Sequence, residues 1–209
     1  MKRNTAVALT LSVVIALVAG IGIARFSHHG WHRPSLASGS GAMTTLRPPR
    51  ALAAFTLYGT HGHAFGLPQL RGRWSFVYFG YTHCTDVCPG TLATLNRLHR
   101  LVGGKSHDIQ YVFVSVDPQH DTPRVLTRYL RRFNRGFVGV TGNNRELGSI
   151  ARQMGAYYKP HSRRAGASYA VGHSDEIFLI DPKARLRAVF STPERARTLA
   201  RGLSTLRAG

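Results

Sequence analysis

The fold of this 209-residue chain is decided by residues 74–90, which read WSFVYFGYTHCTDVCPG. The run Trp74–Phe79 consists largely of aromatic and β-branched residues, which is typical of a strand buried on both faces. Pro89 stands where a helix can begin, because the first turn makes no use of the amide hydrogen that proline lacks. The stretch therefore predicts a buried strand, a loop that carries the chain's two cysteines, and a helix.

Strand and helix patterns alternate on both sides of this stretch. A hairpin is predicted around residues 55–65, with glycines in its turn. Further strands are predicted at 109–116, 137–140, 177–180 and 186–190, and helices at 89–102, 122–133, 143–154 and from 193 onward. The order β-β-β-α-β-α-β-α-β-β-α predicts an α/β fold whose central sheet carries helices on its faces.

The N-terminal region predicts a membrane anchor. Residues 5–24 contain no ionisable side chain, and ~20 apolar residues suffice to cross a bilayer as a helix. Lys2 and Arg3 precede this run, so residues 1–4 are expected in the cytoplasm and the rest of the chain outside it. The alternative is a cleaved signal peptide, whose apolar core is usually ~7–15 residues long.

Composition separates a tether from a folded domain. Residues 25–50 are rich in Gly, Ser, Pro, Ala and His and predict a flexible linker, in which His28, His29 and His32 are interpreted as solvated. Residues 51–209 are the predicted domain. The formal charge is +19, but the basic residues form no long block and accompany no nucleic-acid motif, so no nucleic-acid partner is expected.

The two cysteines, Cys84 and Cys88, are close in sequence, and a disulfide between them would close a very short loop that adds little stability. Their spacing therefore indicates chemistry. A helix N-terminus favours the thiolate, and residues four apart on a helix share one face, so both sulfurs can bind one ion. Three residues separate Cys84 from Cys88, whereas two residues separate the cysteines of thioredoxin-type oxidoreductases. A disulfide between Cys84 and Cys88 can still form.

Two thiolates are too few for a closed zinc site, which normally has four ligands. Sulfur donors with one imidazole suit Cu(I) and tolerate Cu(II). We take His173, at the start of the predicted strand 177–180, as the candidate third ligand, because sites are often built on loops at strand ends. On the residues alone, a single His before a strand is more often an ordinary loop residue.

The segment FGYTHCTDVCP, residues 79–89, resembles the signature of the Sco/SenC family of copper-handling assembly proteins. The resemblance continues in order through FVSVDP at 113–118, DTP at 121–123, TG at 141–142, HS at 173–174 and LIDP at 179–182. It implies a thioredoxin-like fold with a central mixed sheet. It also implies copper, as Cu(I) or Cu(II), bound by Cys84, Cys88 and His173.

The resemblance further implies a metallochaperone that helps to mature the binuclear copper centre of cytochrome c oxidase. Such a protein would be single-pass in a bacterial inner membrane, with its domain facing the periplasm. Its expected partners are the copper-binding subunit of the oxidase, a copper donor protein and a thiol reductase. The alternative is a thiol–disulfide reductase that keeps the oxidase cysteines reduced, because an oxidising compartment closes dithiols.

The chain departs from the family pattern at several positions. Thr85 stands where Pro is usual, and His120 stands where Arg is usual. Gly172 precedes His173 where Asp is common, which leaves open the group that orients the imidazole ring.

Four further polar residues lie near the predicted site. We expect His83 to lie beside the metal without binding it and Asp86 to cap the helix that follows. Asp117 and Asp121 are expected to shape a turn and to cap the helix at 122.

Overall fold

The structure is a computed structural model that describes residues 36–37, 43–60, 62–103, 107–159 and 172–208. The strands in these ranges are β1 (Leu36–Ala37), β2 (Met43–Ala51), β3 (Leu57–Gly59), β4 (Ala64–Phe65), β5 (Trp74–Gly80), β6 (Ile109–Ser115), β7 (Val138–Thr141), β8 (Tyr158–Lys159), β9 (Gly172–His173), β10 (Ile177–Ile180) and β11 (Arg185–Phe190). The helices are α1 (Leu67–Leu70), α2 (Val87–Leu101), α3 (Pro123–Leu130), α4 (Asn144–Met154) and α5 (Ala196–Ala208). From β3 onward this order contains every predicted element, with the short α1, β8 and β9 in addition.

The central sheet is mixed, as predicted. Its strand order is β1-β2-β11-β10-β5-β6-β7-β3-β4, and β8 and β9 form a separate pair. Strands β5, β6 and β7 are parallel, whereas β10 runs antiparallel to β5. In the β5–β6 pair Gly80 lies opposite Ser115, so the carboxyl ends of these two strands meet at one edge of the sheet.

The sheet has an apolar layer on each face. Side chains alternate across β5, so that Phe76 and Tyr78 face one layer while Val77 and Phe79 face the other. The first layer contains the buried leucines of α2, α3 and α5, and the second contains those of α4 and α1. Because both faces are covered, every residue of β5 and β6 is buried.

Helix α2 begins at Val87, two residues before the proline that was predicted to open it. Pro89 is compatible with this start because the first four amide groups of a helix have no partner within the helix. Asp86 occupies the predicted cap position, but its side chain makes no capping hydrogen bond.

The predicted linker is too long at its C-terminal end. Residues 43–50, assigned to the linker, belong to β2, which pairs antiparallel with β11. Leu46 is 2% exposed and lies in the core. The strand pattern is weak in the sequence because Arg47, Pro48 and Arg50 follow Leu46 directly. In addition, the pairing partner β11 lies more than a hundred residues away.

Residues 1–4, the predicted anchor at 5–24 and most of the remaining linker lie outside the described residues. In the part of the chain that the structure describes, no helix has both the length and the apolar character that a bilayer crossing requires.

Candidate metal centre

The candidate centre lies where the loop after β5, residues 81–86, enters α2. This segment is called the cysteine loop below. Cys84 is in this loop and partly exposed, and its amide donates to the carbonyl oxygen of Tyr81 at 3.2 Å. Cys88 is in the first turn of α2 and is fully buried. Its amide donates to Cys84 Sγ at 3.5 Å, and both cysteines are free thiols. The backbone of Cys88 therefore lies directly against the sulfur of Cys84.

Cys88 has an apolar environment. The Tyr78 hydroxyl donates to Cys88 Sγ at 3.5 Å. Burial raises the pKa of the Cys88 thiol to about 12, although the hydrogen bonds from Tyr78 and from the Tyr81 backbone lower it. At Cys88 the desolvation cost of the anion therefore opposes the thiolate that a helix N-terminus favours. A bound cation would have to displace the proton.

Gly80 makes room for the buried sulfur. A Cβ atom at position 80 would lie 2.9 Å from Cys88 Sγ and 2.7 Å from Cε2 of Phe113. Both distances are shorter than ordinary contacts, so the close approach of strand, ring and thiol requires glycine.

His173 lies against the same tyrosines. Its ring meets the Tyr81 ring edge-on at a centroid distance of 5.7 Å and the Tyr78 ring at 6.4 Å. Since Tyr78 also donates to Cys88, the fold brings His173 to the cysteine loop from 85 residues further along the chain.

The structure also shows what orients the His173 ring. Its Nδ1 lies 2.6 Å from the carbonyl oxygen of Ser174. A carbonyl oxygen only accepts, so Nδ1 carries the hydrogen and Nε2 of the neutral ring keeps its lone pair. The Ser174 carbonyl oxygen therefore orients the imidazole ring, the role that was left open by the absence of an Asp at position 172. Ser174 is itself held by two hydrogen bonds with the Tyr157 backbone, at 2.7 and 3.0 Å.

Asp121 has a role that sequence reasoning missed. Its carboxylate is fully buried and accepts hydrogen bonds from the Thr82 amide at 2.9 Å, the Thr82 hydroxyl and the Ser115 hydroxyl. The expected capping role is wrong, since the cap of α3 is Thr122, whose hydroxyl accepts from the Val125 amide at 3.4 Å. Asp121 instead ties the cysteine loop to the end of β6. The sequence could have indicated this contact, because Thr82 and Asp121 follow two neighbouring strands. The carboxyl ends of such strands, when parallel, meet at one edge of the sheet.

Asp117 shapes a turn, as predicted, with its carbonyl oxygen accepting from the amides of His120 and Asp121 at 3.2 and 2.9 Å. Its side chain is paired with His120, whose Nδ1 lies 3.0 Å from Asp117 Oδ1. His83, in the cysteine loop, lies with its ring 5.6 Å from the His120 ring.

Three acidic side chains line a cavity at the start of α2. Asp86, Asp175 and Glu194 line one cavity of about 490 Å³ at the start of α2. Arg97 also lines this cavity, so its three carboxylates outnumber one guanidinium in a chain whose net charge is +19.

Comparison with known proteins agrees with the fold and with the sequence motifs. A sequence model of the SCO1/SenC family matches residues 44–208. The chain is 32% identical over 177 residues to a putative copper-binding protein of Stutzerimonas stutzeri, covering 81% of this chain and 86% of that one. Arabidopsis thaliana ScoI, solved with copper bound, superposes with a TM-score of 0.67 at 30% identity over 75% of this chain and 98% of that one. Yeast Sco1, also solved with copper bound, gives 0.69 at 27% identity over 75% and 88%.

A mixed sheet with helices on both faces, and a dithiol loop that runs from a central parallel strand into a helix, defines a thioredoxin-like protein. Within that class the family match covers most of the chain and the whole described site. The chain belongs to the SCO1/SenC family.

Proposed function

We propose that this chain is a copper metallochaperone that binds copper through Cys84, Cys88 and Nε2 of His173. The observation that carries the proposal is the position of Tyr78, which contacts Cys88 Sγ through its hydroxyl and the His173 ring through its own ring. Cys88 and His173 thus contact one tyrosine, and Cys84 Sγ lies 3.5 Å from the Cys88 amide nitrogen. Two sulfurs and one nitrogen suit Cu(I), and the Nε2 lone pair is the one that the Ser174 carbonyl leaves for a metal.

The proposed recipient is the copper-binding subunit of cytochrome c oxidase, where the ion helps to form the binuclear centre. One fold relative, BsSco (TM-score 0.60, 18% identity), is described as a member of the Sco family of cytochrome c oxidase assembly proteins. Residues 5–24 would anchor the domain in a bacterial inner membrane, facing the periplasm, where a copper donor and a thiol reductase serve it. A site with few ligands and a partly exposed Cys84 permits exchange with recipient ligands.

The alternative function is reduction of the oxidase cysteines. The unequal exposure of the two thiols supports it, because Cys84 is accessible for attack while Cys88 is buried beneath it. Disulfide exchange needs only these two sulfurs. The two functions therefore differ in whether they require His173.

The test is an anaerobic Cu(I) titration of the reduced chain. We expect one Cu(I) per chain, no stoichiometric binding in Cys84→Ser or Cys88→Ser, and a loss of about 100-fold or more in affinity in His173→Ala, since even groups behind a ligand contribute about 10–100-fold. His63→Ala, in an exposed turn, is the matched control and should bind like the unmodified chain.

Unchanged Cu(I) affinity in His173→Ala would refute the assigned site. A His173→Ala chain that still supports oxidase assembly in cells would favour the reductase over the metallochaperone.

A further inference from the structure

Four side chains of the types that bind metals gather at the cysteine loop without belonging to the thiol site. His83 comes from the loop after β5, and Asp117, His120 and Asp121 come from the loop after β6. The two loops lie side by side because β5 and β6 are parallel and in register at their carboxyl ends. Asp121 joins the loops directly by accepting from Thr82.

The donor atoms are close enough to share an ion. One nitrogen of His83 and one carboxylate oxygen from each of Asp117 and Asp121 all lie within 4.8 Å of one another. Ligand atoms bound at ~2.0–2.2 Å to one ion are at most ~4.4 Å apart. Three donor atoms around one ion are closer to one another than this limit on average, so side-chain rotation of the exposed His83 has to bring its nitrogen nearer to the two carboxylates. His120 Nδ1 lies 3.0 and 3.1 Å from the two Asp117 oxygens, which places a second imidazole at the edge of the group.

The two carboxylates of the group are buried, and its two imidazoles are exposed to solvent. Asp117 is 3% exposed and Asp121 is fully buried, so the carboxylates sit in a medium where their attraction for a cation is strong. The Asp121 carboxylate is held in place by its bonds to Thr82 and Ser115. His83 is exposed and His120 is 46% exposed, so an ion can enter from solvent.

We propose that His83, Asp117 and Asp121, with His120 as a fourth ligand, form a second metal site for a divalent ion, and that this ion is Cu²⁺. Imidazole and carboxylate donors without sulfur suit divalent Cu and Zn, and Cu²⁺ binds most tightly of the divalent first-row metals at such sites. His120 stands where the family pattern has Arg, which offers no lone pair to a metal. The site is one residue from Cys84, so it receives copper in the divalent state at the entrance to the thiols.

The experiment uses the full chain in detergent, with Cys84→Ser and Cys88→Ser to remove the thiol site and Ala at His28, His29 and His32 to remove the linker histidines. This background is titrated with Cu²⁺ alone against a competing chelator and followed by electron paramagnetic resonance. Its His83→Ala/His120→Ala derivative is compared with His63→Ala/His99→Ala, which removes the same number of imidazoles elsewhere. Asp117→Asn is a further variant that keeps the side-chain shape.

We expect His83→Ala/His120→Ala to bind one Cu²⁺ fewer than both the background and the control pair, with loss of the nitrogen splitting from that ion. Asp117→Asn should bind the same ion at least about tenfold more weakly, since a charged ligand is lost. Both histidines are exposed, so their removal leaves the core filled, and a circular dichroism spectrum identical to the background verifies the fold.

The proposal is overturned if His83→Ala/His120→Ala binds the same number of Cu²⁺ ions, at the same affinity, as the control pair. It is equally overturned if Asp117→Asn lowers thermal stability without changing Cu²⁺ binding, which would make the cluster purely structural. Because the background lacks both thiols, neither outcome bears on the proposed Cu(I) function, and failure of the Cu(I) test leaves this site intact.

Discussion

At the scale of single residues, the sulfur of Cys88 occupies a closely filled space. The Tyr78 hydroxyl contacts it, and position 80 has no room for a methyl group between the sulfur and the Phe113 ring. Close packing of this kind places the thiol accurately, because neither the ring nor the strand backbone can move independently of the sheet.

Gly80→Ala is therefore expected to destabilise the reduced apo protein by about 1–3 kcal/mol, the usual cost of overpacking a core. It should also weaken Cu(I) binding by displacing Cys88 Sγ. Urea unfolding and Cu(I) competition measure the two effects. The matched control is Gly90→Ala on α2, where an added Cβ meets nothing within 4 Å. That change should stabilise by about 0.5–1 kcal/mol, because Ala favours the helix. Equal effects at the two positions would contradict the packing argument.

At the scale of elements, β2 shows how a strand can resemble a linker. Only Leu46 of its central residues is buried in the core, and the neighbouring Arg and Pro residues are polar or lack an amide hydrogen. Residues 43–45 and 50–51 pair with β11, and Leu46 pairs with Leu36 of β1. Residues 43–51 are therefore part of the domain that holds the site.

Leu46→Ala is expected to cost about 2–5 kcal/mol of unfolding free energy, the range for removing a buried leucine side chain. Arg47→Ala, at the exposed neighbouring position, should change stability by no more than about 0.5 kcal/mol. Chemical denaturation of both variants measures the difference. A Leu46→Ala chain as stable as Arg47→Ala would mean that residues 43–50 contribute no packing.

At the scale of the whole molecule, one sheet separates two apolar layers. Leu147 of α4 is fully buried on one face and Leu199 of α5 on the other. Both layers pack on the same strands, so neither is expected to unfold alone.

Leu147→Ala and Leu199→Ala should each lower the unfolding free energy by about 2–5 kcal/mol. Their effects should add to within about 0.5 kcal/mol in the double variant, because the sheet lies between the two sites. Tyrosine and tryptophan fluorescence and far-ultraviolet circular dichroism should report one coincident urea transition. Separate transitions for the two probes would show that the layers unfold independently.

The sequence by itself determined the local features of this protein. Apolar runs specified the central strands such as β5 and β6, and prolines and caps marked the helices to within a few residues, because these signals act between near neighbours. The spacing of Cys84 and Cys88 indicated a two-sulfur site for the same reason. The family resemblance, carried by motifs in the correct order, is confirmed.

Only the tertiary structure decided which distant groups meet the cysteines. It placed His173 against Tyr78, turned its Nδ1 to the Ser174 carbonyl, and buried Asp121 beneath Thr82. It also buried the Cys88 thiol and so raised its pKa, since burial is a property of the packed core and has no counterpart in local spacing. The pairing of β2 was hidden for the same physical reason, because strand partners are selected by contacts across the fold.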